Sequence, residues 1–225
     1  VPRQAQLASL KGSVEWQQAG SDTWQPAAAG ESLTRGDKLR TGVDGQASLS
    51  LEDGSSLALE PGSELTIQSL FEEVTGQSES IFGLWAGRLT ATVAPVAEGS
   101  VFQFETPTAT ARVVGTRLTI TVNPDGSVSV ASREGSVDLI REGDFRMRTR
   151  LGAGEEALVE FDAGTGVLRV TSLTGTFEVI GPDDIPITLA DSDTVVYSGK
   201  AATFIPGTPS VTDVPVAETI GEPVT

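Results

Sequence analysis

The sequence predicts an all-β fold, with many short strands in a compact sandwich or irregular β-solenoid and an extended C-terminal tail. Three observations carry that prediction. Apolar and polar residues alternate over one segment after another, which is the period of a half-buried strand. Glycine, often as Asp-Gly or Pro-Gly, punctuates those segments. A short cassette also recurs, as Ala8-Ser9-Leu10-Lys11-Gly12-Ser13-Val14-Glu15-Trp16 and as Ala131-Ser132-Arg133-Glu134-Gly135-Ser136-Val137-Asp138-Leu139, with looser copies around Gly87 and Gly175. In each copy a glycine permits positive φ for a turn or bulge, and alternation resumes after it.

From the N-terminus, the first cassette predicts strands on either side of Gly12. Ala47, Leu49 and Leu51 then share a face, Asp53-Gly54 turns the chain, and Leu57 and Leu59 resume. Pro61-Gly62 turns it again ahead of Leu65 and Ile67, so the segment reads as a meander. Residues 68–74 form the one stretch expected to make a helical turn. Gly115-Thr116 is read as a bulge and not as a phosphate loop, because a strand pattern follows it where such a loop would open a helix. Leu118, Ile120 and Val122 lead through Asn123-Pro124-Asp125-Gly126 to Val128 and Val130, a hairpin whose Asp-Gly pair suits a tight turn. Further strands are expected at residues 137–140, 145–150, 157–161, 167–171, 177–180 and 194–197. Trp16 and Trp85 occupy cassette positions, where large side chains anchor a core; a sugar-stacking platform of Trp16, Trp24 and Trp85 is the other reading. The copies are unevenly spaced, which favours a compact or irregularly coiled fold over a strict solenoid.

Composition excludes several functions. The 225 residues hold 15 Lys+Arg against 31 Asp+Glu, for a net charge of -16, which repels nucleic acid and anionic lipid alike. No apolar run approaches the roughly 20 residues that span a bilayer, so no membrane insertion is expected. With no His and no Cys, the sequence cannot supply a Ser-His-Asp triad, a Cys-His pair, a histidine base or a thiolate metal site. The chain opens at Val1 without an initiator Met or a basic-then-apolar leader, and a mature exported form is the expectation.

Several ordered motifs resemble a known family. Gly36-Asp37-Lys38-Leu39-Arg40-Thr41-Gly42 and the meander through Ser63 look like the first half of a FecR domain. Leu84-Trp85-Ala86-Gly87-Arg88-Leu89, Thr106-Pro107, Val114-Gly115-Thr116-Arg117-Leu118-Thr119-Ile120 and Glu134-Gly135-Ser136-Val137 look like its second half. The resemblance covers roughly residues 31–140. It implies a β domain that binds protein in the periplasm, in proteins that relay a receptor's signal to a cytoplasmic sigma factor. This sequence shows no cytoplasmic helical region, and it continues well past the matched part. Other proteins with the domain are simply exported, and this one looks similar to them. The expected organisation is a FecR-like β domain over 1–140, further strands over 141–204 continuous with it, and a Pro-rich tail over 205–225 as a candidate donor strand.

The remaining candidates for chemistry are carboxylates. Asp183-Asp184 and Glu155-Glu156 are pairs, but acids beside glycine and proline in turns are usually solvated and lack the raised pKa that glycoside hydrolysis needs. Asp183, Asp184, Asp191 and Asp193 cluster as calcium ligands do, without the spacing of a known calcium loop. No enzyme activity, cofactor or metal is expected.

Two features point instead to contacts. Arg146, Arg148 and Arg150 share one face of a strand, read either as partners of acidic neighbours across strands or as a docking stripe for an acidic patch on another copy. In the tail, Val214, Val216 and Ile220 keep one alternating phase, with Val211 nearby, among prolines that an edge strand tolerates. Each copy donating such a strand to the next would build a filament. The leading expectation is therefore an exported, non-enzymatic scaffold that binds other copies of itself, most sharply as a cell-surface filament subunit. A periplasmic sensor module binding a cell-envelope protein is the alternative, and a cell-wall glycan-binding module is the next.

Overall fold

Alternation along the strands sends one face of each into a shared core, and the turns between them decide which of two facing layers each strand joins. A computed structural model describes residues 1–143 and 145–207. The chain starts with β1 (Ala5–Lys11) in the first layer and places β2 (Val14–Gln17) and β3 (Gln25–Pro26) in the second. β4 (Ser32–Leu33) returns to the first layer and β5 (Lys38–Thr41) to the second. β6 (Gln46–Leu51) and β7 (Ser56–Leu59) form a first-layer hairpin, and β8 (Glu64–Glu72) joins the second layer.

β9 (Ser78–Thr92) serves both layers: residues 78–86 pair with β8, and residues 89–92 with β7. The chain then lays down hairpins in turn. The second layer takes β10 (Val101–Glu105) with β11 (Thr110–Val113), and the first takes β12 (Arg117–Val122) with β13 (Val128–Glu134). β14 (Val137–Arg141) with β15 (Met147–Leu151) and β16 (Glu156–Asp162) with β17 (Val167–Thr174) repeat the step. So do β18 (Phe177–Ile180) with β19 (Pro186–Leu189) and β20 (Thr194–Ser198) with β21 (Ala201–Ile205). Each hairpin adds to the previous one of its own layer, through β11–β14, β13–β16, β15–β18 and β17–β20. Because β9 passes from one layer to the other, all these strands form one hydrogen-bonded sheet folded over on itself.

The recurring cassette is the crossing between layers. The residue two places after each cassette glycine, Val14, Leu89, Val137 and Phe177, is buried. Gly12, at φ 65°, lies so close to Asp44 that a Cβ would stand 2.2 Å from its carbonyl oxygen. Gly87, at φ 80°, marks the point where β9 changes layers; a Cβ there would lie 2.5 Å from Ser63 Cα. In two copies a fully buried serine three places earlier closes the turn. Ser132 Oγ donates to the Gly135 carbonyl at 3.2 Å, and Ser172 Oγ to the Gly175 carbonyl at 2.8 Å.

One apolar cluster runs between the layers, with Leu7, Leu49, Leu89, Ile120, Val159 and Val195 from the first and Leu39, Leu65, Val113, Leu139 and Val179 from the second. Phe82, Phe102 and Phe104 meet within it, with ring centroids 5.6 to 5.8 Å apart. The all-β expectation is borne out. The helical turn expected at residues 68–74 is not: β8 runs on through Glu72, paired with β9, with Leu70 buried. A long-range ladder and a buried leucine outweigh local helix preference there. A register shift between Ile67 and Ser69 accommodates the break in alternation that mimics a helical pattern.

Candidate protein-interaction surface

The outward residues of the second layer form two rows across its strands, fixed by register. Arg112 on β11 faces Asp138 on β14, which faces Arg150 on β15. Glu178, exposed on β18, follows, so this row alternates in sign. Arg150 Nε and Nη2 donate to the two carboxylate oxygens of Asp138 at 2.5 and 2.9 Å. These hydrogen bonds, and then the charge of Asp138, raise the pKa of the Arg150 guanidinium.

The neighbouring row is different. Thr110 faces Ile140, Ile140 faces Arg148, Arg148 faces Ile180 and Ile180 faces Pro186. One guanidinium thus stands between two half-buried isoleucines. Among the described residues, no carboxylate forms an ion pair with Arg148. Arg146, just before β15, pairs with Asp184. Arg141, at the end of β14, lies 3.6 Å over the Phe161 ring and donates from Nη1 to the Thr108 carbonyl at 2.8 Å. Burial lowers its pKa. Arg141, Arg146 and Arg148, with Glu142, Asp184, Ile140, Met147 and Ile180, line a cleft of about 210 Å³. A broader groove of about 720 Å³ adjoins it, sharing Ile140, Arg148 and Ile180 and reaching Phe177 and Arg150.

The stripe of Arg146, Arg148 and Arg150 is therefore one exposed face, but its members differ: two are paired to acids and one is flanked by apolar side chains. The spacing of the three is visible in sequence. The isoleucine neighbours are not, because they come from strands whose pairing the sequence does not state.

Of the acidic residues weighed for chemistry, Asp183, Asp191, Asp193 and Glu155 brace turns. Asp193 accepts from the backbone N–H groups of Gly207 at 2.8 Å and Ala190 at 2.9 Å, and these bonds lower its pKa. Asp191 accepts from the Gly175 N–H, and Asp183 from the Ile185 N–H at 3.3 Å. Glu155 accepts from the Gly152 N–H at 2.6 Å. Among the described residues, no three such side chains are grouped to hold a metal ion.

Of the two tryptophans expected in the core, Trp85 departs from that expectation and Trp16 meets it in part. Trp16 packs half-buried against the core, whereas Trp24 stacks under the Arg40 guanidinium at 4.2 Å. Trp85 is 39% exposed and donates from Nε1 to Thr66 Oγ1 at 3.1 Å. Leu84 takes the inward position, so strict alternation turns Trp85 outward, where its ring lies over the bare backbone of Gly83. Val211, Val214, Val216 and Ile220 lie outside the described residues. The last described strand, β21, is exposed along all five residues, including Phe204 and Ile205.

The described residues form an all-β scaffold whose second layer carries charged and apolar rows on its outer face. Residues 37–138, just under half of the chain, match the family described as FecR protein, which bears out the resemblance read from the sequence. Two solved structures are similar in fold, both of a candidate anti-sigma factor from Parabacteroides distasonis ATCC 8503. One, at 1.65 Å, is 15% identical with a TM-score of 0.45; the other, at 2.50 Å, is 16% identical with a TM-score of 0.44. Each similarity covers 69% of this chain and 60% of the other, so the chain spans less than two thirds of the length of those relatives. No curated protein matches the chain. Among the described residues, no helix is long and apolar enough to cross a membrane.

Proposed function

We propose that the chain is a FecR-type module of the periplasm that binds a protein partner in a signalling system and performs no chemistry of its own. The family match over residues 37–138 carries this reading. The absence of His and Cys from the sequence and the use of the clustered acids as turn braces support it. So does a net charge of -16, which disfavours nucleic acid and anionic membrane as partners. The test is capture from periplasmic extract on the immobilised chain, followed by titration calorimetry with the purified captured protein. A saturable complex of fixed stoichiometry is the expected result. Retention equal to that on the heat-unfolded chain contradicts the reading.

A second reading, self-assembly into a filament, draws on the exposed edge of β21. An uncovered strand invites pairing with another chain. The alternating Val214, Val216 and Ile220 of the sequence are candidates to pair there on a neighbouring copy. Negative-stain microscopy separates the two readings. Filaments that vanish on deletion of residues 208–225 favour assembly; single particles at every concentration remove it.

A further inference from the structure

We propose that the row Ile140, Arg148 and Ile180 is the docking site for an acidic segment of a protein partner, with a partner carboxylate seated on Arg148 and apolar residues beside it covering the two isoleucines. This rests on the reading of the chain as a protein-binding module, and it names the surface and the chemistry of the partner.

Contrast with the adjacent row identifies the site. In the row of Arg112, Asp138, Arg150 and Glu178, each cation has an acid beside it in register, and Arg150 is ion-paired with Asp138. One step along the same strands, Arg148 has isoleucine on both sides. Its two neighbours in the cleft are already engaged, Arg146 with Asp184 and Arg141 with the Phe161 ring and the Thr108 carbonyl. Arg148 is exposed and, among the described residues, has no ion-pair partner, in a cleft whose lining sets three arginines against the two carboxylates Glu142 and Asp184. A guanidinium fork matches a carboxylate in two parallel hydrogen bonds.

The occupant follows from the rest of the lining. A free small anion would satisfy Arg148 but leave Ile140, Ile180 and the groove toward Phe177 uncovered. A peptide segment with an acid between apolar residues covers both parts, in the pattern of a charged contact set within apolar surface. Two copies of this chain, each at -16, repel one another at a distance, which favours a different protein over a second copy.

The test is fluorescence anisotropy on the full chain with a fluorescein-labelled peptide of alternating Glu and Val, and with an alternating Lys and Val peptide of equal length. The Glu-Val peptide is expected to bind and to weaken with salt. Its affinity should fall about tenfold in Arg148→Gln, as for a lost charge-assisted hydrogen-bonded contact, and fall also in Ile140→Ser. Arg133→Gln, an exposed change on β13, should leave it unaltered. Equal binding by wild type and Arg148→Gln, or equal binding of the Lys-Val peptide, overturns the proposal. Self-association lost in Arg148→Gln, seen by sedimentation velocity, overturns the choice of partner. If a captured partner binds wild type and Arg148→Gln alike, the docking row is wrong and the protein-binding reading stands; if no partner is captured either, both fall.

Discussion

Asp138 and Arg150 face each other across β14 and β15 and share two hydrogen bonds, at 2.5 and 2.9 Å, on the outer face of the second layer. Arg150 is largely exposed, so solvent and salt screen the pair. Such pairs contribute about 0 to 1 kcal/mol. Arg150→Gln should therefore lower stability by less than about 1 kcal/mol in urea titration, with the difference shrinking in high salt. A larger loss would mean that the ladder of alternating charge holds the sheet together, which its exposure argues against.

The serine that closes a cassette turn should matter more. Ser172 is fully buried, and its hydroxyl donates to Gly175 at 2.8 Å. Removing the donor takes a hydrogen bond from the half-buried crossing between layers, at a cost of about 1 kcal/mol. Ser172→Ala and Ser132→Ala should each lower the thermal midpoint. Ser9, exposed at the equivalent place before Gly12, should tolerate alanine.

Gly87 and Gly54 both adopt positive φ, at 80° and 86°, but only Gly87 has backbone in the space of a Cβ. Gly54→Ala should incur the left-handed strain alone, about 1 kcal/mol. Gly87→Ala adds a clash with Ser63 at 2.5 Å and should be markedly the more damaging in denaturant titration.

Tyr197, the one tyrosine of the sequence, gives the fold a pH limit that can be observed directly. Its side chain is fully buried, and burial first, then the charge of Asp183, pushes the hydroxyl pKa from 10.0 up to about 12, with the Gly181 backbone opposing. The unfolded phenol ionises near 10.0 and the folded one near 12, so the buried neutral ring favours folding fully below pH 10. That contribution, on the order of 2 kcal/mol, is lost as pH rises toward about 12. Ultraviolet phenolate absorbance should report a late titration, and Tyr197→Phe should abolish this part of the alkaline stability loss. Titration of the native protein near 10 would contradict the burial.

Much of the scaffold was legible because strand alternation is a local signal. The hairpin from Leu118 to Val130, the hairpin from Ala47 to Leu59 and the cassette glycines stand where period and turn chemistry place them, whereas the third strand of the expected meander, β8, crosses to the second layer. The error at residues 68–74 came where pairing overrides local pattern, and that at Trp85 from taking a large aromatic as a core anchor where alternation beside Leu84 turns it outward. The surface was half legible for the same reason. The spacing of Arg146, Arg148 and Arg150 announces a common face. Their different circumstances depend on Asp184, Asp138 and the isoleucines, which only strand register brings alongside.

The measurement that bears most directly on the account is a binding isotherm between the purified captured partner and three forms of the chain: wild type, Arg148→Gln and Arg133→Gln. Recognition through the second layer predicts a saturable isotherm for wild type and Arg133→Gln, and affinity about tenfold weaker for Arg148→Gln. Three superimposable isotherms, or weakening by either arginine change alike, would contradict it.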